Sequence, residues 1–88
     1  MALWVRTLLV TGPPDEVEVA AERHRDHLRD LRNRGNLKIA GEMGDAEGFL
    51  EVYEAADRKE AEEIARSSPL VIDGLGAWMI RAWKDVEL

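Results

Sequence analysis

Between Pro14 and Gly35 the chain carries a segment whose apolar side chains return with helical period, and this segment sets most of what the fold can be. Over Asp15 to Arg34, the residues Val17, Ala20, Ala21, His24, Leu28 and Leu31 fall within an arc of about 100°, the width of a core-facing stripe. Asp15 with Glu18 three residues on predicts a capping box with Asp in the usual Ser or Thr place, and Gly35 is the natural residue just past the helix end. Arginines in the last turn suit the negative end of the helix dipole. One position of the stripe is polar. An imidazole at position 24 points into an apolar interior, where an unpaired polar group costs about 1–3 kcal/mol, so His24 needs a partner or a task there.

The apolar run before this helix is too short for a free-standing helix. Residues 2–10, ALWVRTLLV, read as a buried strand stopped by Gly12-Pro13-Pro14. Leu37–Gly41 and Phe49–Ala55 predict two more strands, joined by a loop through Gly44, Asp45, Ala46, Glu47 and Gly48. Asp57 with Glu60 repeats the capping pattern before a short helix that turns Ala61, Ile64 and Ala65 inward and ends before Pro69, which restricts Ser68 to an extended backbone. Leu75–Trp83 reads as the last strand. The order β-α-β-β-α-β predicts an α+β, ferredoxin-like fold: an antiparallel four-stranded sheet with two helices on one face.

A sheet covered on one side and wetted on the other alternates apolar and polar residues. These strands do not. Leu50 and Val52 oppose Phe49 and Tyr53 in the third strand, and Trp78, Ile80 and Ala82 oppose Ala77, Met79 and Trp83 in the fourth. Two helices cover one face, so the other is expected to meet a second copy of itself, with Tyr53 and Trp83 as interface aromatics. Length argues the same way. The 88 residues form one domain over 1–88, and a chain of this size buries only about 60–65% of its unfolded surface. With no cysteine to staple it, a homodimer is the expected source of extra stability.

Charge excludes some partners. The net charge is −6, with seven basic and seven acidic groups in residues 1–44 against five and eleven in residues 45–88, a balance that repels phosphate backbones. The basic group Arg23, Arg25, Arg29, Arg32 and Arg34 is interleaved with Glu22, Asp26 and Asp30 at helical pairing distance and reads as a solvated face. An RNA-binding use of the same strand order is disfavoured because Phe49 and Tyr53 stand beside Glu51 and Glu54 rather than basic residues. No apolar run approaches the roughly 20 residues of a membrane span. The first residues lack the basic start of a secretion signal, so the cytoplasm is the expected location.

The segment RHRDHLRDLRNRGNLKIAG, from Arg23 to Gly41, resembles the YCII-related (YciI-like) family of the dimeric α/β-barrel group. The strand EGFLEVYEAAD, the helix KEAEEIARSS with Pro69-Leu70, the Asp73-Gly74-Leu75 turn and the closing strand through Arg81-Ala82-Trp83 extend the likeness over nearly the whole chain. The resemblance implies a dimeric barrel. It also implies that His24, rather than His27, stands at the family's histidine, near an aspartate that precedes a proline after the second helix. Here that position is Ser68. A hydroxyl orients an imidazole but supplies no charge, and Asp73, five residues on, is a second source of a carboxylate.

Two functions from different classes follow. The first is a cofactor-independent enzyme acting on a small organic molecule, with His24 as general acid or base and Ser68 beside it. The second is a non-catalytic dimer that binds a metabolite or partner, its dyad aspartate replaced by Ser68. A histidine on an apolar helix face is equally the arrangement of a core residue satisfied by a backbone carbonyl. His24 and His27 lack a third ligand at helical spacing, so no metal is expected, and no cofactor. Ser67 and Ser68 lack a nucleophile elbow and read as a helix end. The glycines of 41–48 lack the spacing of a phosphate loop. Trp4, Trp78 and Trp83 suit a core or an interface, and would also suit a flat ligand.

Overall fold

A computed structural model describes residues 2–44 and 47–88. Strand β1 (Ala2–Val10) leads into helix α1 (Pro14–Asn33), then β2 (Leu37–Glu42), β3 (Gly48–Ala55), α2 (Arg58–Arg66), α3 (Pro69–Ile72) and β4 (Gly76–Ala82). The strands form one sheet in the order β2-β3-β1-β4 with every neighbouring pair antiparallel. This is the predicted α+β, ferredoxin-like arrangement. The expected Gly44–Gly48 loop includes Asp45 and Ala46, which lie outside the described residues.

The cap of helix α1 lies two residues earlier than its sequence suggests. Pro14 occupies the first helical position, where its missing N–H costs nothing, and Pro13 is the cap. Asp15 therefore falls inside the first turn and caps nothing. The other end is as read: Gly35 sits just past the helix with φ +85°, a conformation that a Cβ would strain. At α2 the predicted cap is present, the Asp57 carboxylate accepting from the Glu60 N–H at 2.9 Å. A third helix, the single turn α3, adds to the two expected. Four residues are too few to show a period.

The helices cover one face of the sheet. From β1 and β3 that face receives Arg6, Leu8, Val10, Phe49, Glu51, Tyr53 and Ala55, and from β4 Ile80. Against them pack Ala20, Leu28 and Leu31 of α1, Ala61 and Ala65 of α2 and Leu70 of α3. Each fully buried leucine contributes about 1.5–3 kcal/mol. Gly48 is needed where β3 enters, because a Cβ there would lie 2.4 Å from the Leu8 carbonyl oxygen. The opposite face exposes Leu9, Ile39, Leu50, Met79 and Trp83. Tyr53 does not belong to it. Its ring is fully buried under the helices, so the expectation of an interface tyrosine fails, because Tyr53 shares parity with Phe49 on the covered side.

Candidate functional site

Two opposite charges enter the core side by side. Arg6 lies midway along β1, and antiparallel pairing sets it directly across from Glu51 on β3. Both are fully buried. The Arg6 Nη2 and Nε donate to Glu51 Oε1 at 2.7 and 3.1 Å, and Nη1 donates to the Ala65 carbonyl at 3.0 Å. The Tyr53 hydroxyl, two residues along β3, donates to the same carboxylate oxygen. The other oxygen, Oε2, stands 2.6 Å from His24 Nε2. Each partner is thus delivered by a regular element: a strand centre, its neighbour in register, and the apolar stripe of α1.

The electrostatics follow from this crowding. Burial pushes the Glu51 carboxyl up, but the His24 hydrogen bond, the Arg6 charge and the Tyr53 hydroxyl outweigh it and hold the group below its ordinary value. Tyr53 is pushed up by burial and by the Glu51 charge, so its hydroxyl keeps its proton and remains a donor. An ionised Glu51 has acceptors only, which assigns a proton to His24 Nε2. In the neutral ring the lone pair then lies on Nδ1. That atom is buried and has no hydrogen-bond partner among the described residues.

His24 is fully buried, as its place in the stripe predicts. Ser68 is fully buried too, held extended by Pro69 at the start of α3, and its hydroxyl makes no cap. Instead it accepts a long contact from Arg6 Nη1 at 3.4 Å. The two residues therefore belong to one network, in which Ser68 reaches His24 through Arg6 and Glu51. Asp73 does not enter it, since its carboxylate pairs with Arg23 at the surface. His27 is half-buried, its ring centroid 6.2 Å from that of His24. Burial first, then the neighbouring His24, hold its pKa below the ordinary value. The described residues contain no cluster of three or more side chains suited to a metal.

Arg6 and Glu51 are the residues that sequence reasoning missed. Their signal was present: each is a charge at core-facing parity, Arg6 with Leu8 and Val10, Glu51 with Phe49 and Tyr53. Charged groups are almost never fully buried unless paired, so two such positions in neighbouring strands imply each other.

The YCII-related domain model matches residues 6–84 of the chain. No curated protein matches it. Among solved structures it is similar to the 5-chloro-2-hydroxyhydroquinone dehydrochlorinase of Burkholderia phenoliruptrix AC1100, in complex with 2,5-dihydroxybenzoquinone. The TM-score is 0.65 at 18% identity, covering 91% of this chain and 93% of the other. At that identity the likeness is one of fold.

Proposed function

The chain belongs to the YCII-related domain family, and from that premise we propose that it is a cofactor-independent enzyme that moves a proton on a small organic molecule, with His24 as general acid and base. One observation carries this reading: His24 is held through Nε2 by a buried carboxylate at 2.6 Å, while Nδ1 has no hydrogen-bond partner among the described residues. A carboxylate on one ring nitrogen fixes the tautomer, presents the other nitrogen as the base, and stabilises the imidazolium once the proton is taken. Glu51 fills the carboxylate role. Ser68 is a positioning residue that acts through Arg6.

The chemistry within reach of one base is a tautomerisation or an elimination. In an elimination the base takes a proton, its bonding pair moves into a new double bond, and the leaving group departs with its own pair. The similar dehydrochlorinase fold supports this class by analogy. The apolar open face, with Leu50 46% and Trp83 48% exposed, supports a homodimer formed sheet to sheet. No described helix is long and apolar enough to cross a membrane, and the cytoplasm is the proposed location.

Turnover of substituted hydroxyquinones and related small ring compounds, followed by chromatography, tests the reading. His24→Gln should abolish product while keeping the circular dichroism spectrum and the sedimentation mass. Product formed equally by the variant would overturn it. The complete burial of His24, Glu51 and Ser68 favours a second reading, a non-catalytic dimer that binds a metabolite or partner. That reading expects ligand retention with no turnover by the native chain.

A further inference from the structure

His24 has no exposed surface, so a substrate needs a way in, and Phe49, whose ring lies against the imidazole, lines a cleft. The cleft holds about 260 Å³ and lies where β1 and β2 end and β3 begins, under the first half of α1. Val10, Val17, Ala21, Met43 and Phe49 form its apolar walls, and Arg25 its basic one. Phe49 serves both spaces. It lines the cleft and its ring centroid is 4.6 Å from that of His24. Helical side chains lean toward the N-terminus of their helix, so the His24 ring lies over the turn that carries Ala21, a cleft residue whose small side chain leaves the space open.

We infer that this cleft binds a small organic monoanion with an apolar body, and that Phe49 is the door between the cleft and His24. The proposal rests on the reading of His24 as the acid and base. A cavity of about 150 Å³ is enough for benzene, so this cleft takes one substituted six-membered ring or a branched chain of similar size. Arg25 supplies the charge. Its guanidinium stands 6.0 Å from the Phe49 ring centroid and donates from Nε and Nη2 to Glu42 Oε1 at 3.0 and 2.7 Å. The Arg25 and Glu42 side chains are 43% and 56% exposed, and an exposed pair of this kind is held weakly against water and salt, so an incoming anion displaces Glu42 at little cost. Glu42 and Glu47 in its lining disfavour a second negative charge. The position over Phe49 couples the two events, because an anion that draws Arg25 away also releases its contact with the door.

Benzoate is the probe, with neutral benzamide and doubly charged phthalate as controls, titrated into the isotopically labelled full chain by NMR. Benzoate should shift the amides of Val17, Ala21, Arg25 and Phe49 together with the His24 ring signals, and both controls should bind about tenfold more weakly. Arg25→Gln should weaken benzoate by about tenfold, and Glu42→Gln, which frees Arg25, should strengthen it. Phe49→Leu should speed acylation of His24 by diethyl pyrocarbonate, read by peptide mass spectrometry, with benzoate protecting. Shifts centred elsewhere, indifference to Arg25→Gln, or an unchanged His24 acylation rate in Phe49→Leu would overturn the proposal. Benzoate bound as described in a chain without turnover upholds the cleft and removes the catalytic reading. Turnover that depends on His24 but is untouched by benzoate does the reverse.

Discussion

Arg6 and Glu51 face each other across the β1–β3 pair, and their bond at 2.7 Å has both side chains fully out of water. Desolvating two ions is compensated here by the further partners of each: Ala65 and Ser68 on the guanidinium, His24 and Tyr53 on the carboxylate. Such a network tolerates loss of a member badly. Glu51→Ala strands the Arg6 charge in the core and should cost about 3–5 kcal/mol in urea unfolding. A loss below about 1 kcal/mol, the level of an exposed pair, would mean that the pair is hydrated.

The network also makes stability depend on pH. In the fold the Glu51 carboxyl is held below its ordinary 4.5 by His24, Arg6 and Tyr53 despite the upward push of burial. The unfolded chain therefore takes up that proton first, so the stabilisation is full above 4.5 and is lost as pH falls through the lower native value. His27 is likewise held below 6.5 by burial and by His24. Its penalty is absent above 6.5 and sets in as pH drops beneath it. Urea midpoints should thus fall in two steps on acidification. His27→Gln should remove the upper one and Glu51→Gln the lower.

Tyr53→Phe deletes a buried hydrogen bond to a charged acceptor without changing the ring. It should cost about 1.5–3 kcal/mol and leave the sedimentation mass unchanged, since the ring is fully buried under the helices. A change in mass would return Tyr53 to the open face.

Ser68→Asp places a second carboxylate beside Arg6 Nη1, now 3.4 Å from the hydroxyl. A charge-assisted bond there should draw Arg6 from Glu51 and alter the short His24 contact. Glu51, relieved of that competitor, then accepts more strongly, so the proton on His24 Nε2, observed by NMR, should move downfield. An unmoved resonance would separate Ser68 from the His24 site.

The two helix starts should respond unequally. Asp57→Ala removes a cap and should cost about 0.5–2 kcal/mol. Asp15→Ala, within the first turn of α1, should cost only the dipole contribution of about 0.3–1 kcal/mol. A larger loss at Asp15 than at Asp57 in thermal unfolding would contradict the start at Pro14.

What the sequence determined by itself is what local periodicity and local chemistry encode. The stripe from Val17 to Leu31 predicted one long helix with His24 turned inward, Gly35 and Asp57 marked helix boundaries, and strands apolar on both sides predicted a sheet with one face left bare. Contacts between residues far apart in the chain were decided by tertiary structure. Glu51 comes within 2.6 Å of a residue 27 positions away, because strand register and the placing of α1 over the sheet coincide there. Tyr53 went to the covered face for the same reason: alternation defines two faces, but the packing of helices decides which one is buried. The carboxylate that Ser68 does not provide thus arrives from β3, since a buried imidazole needs a charge or hydrogen-bond partner near it in space and is indifferent to where in the chain that partner lies.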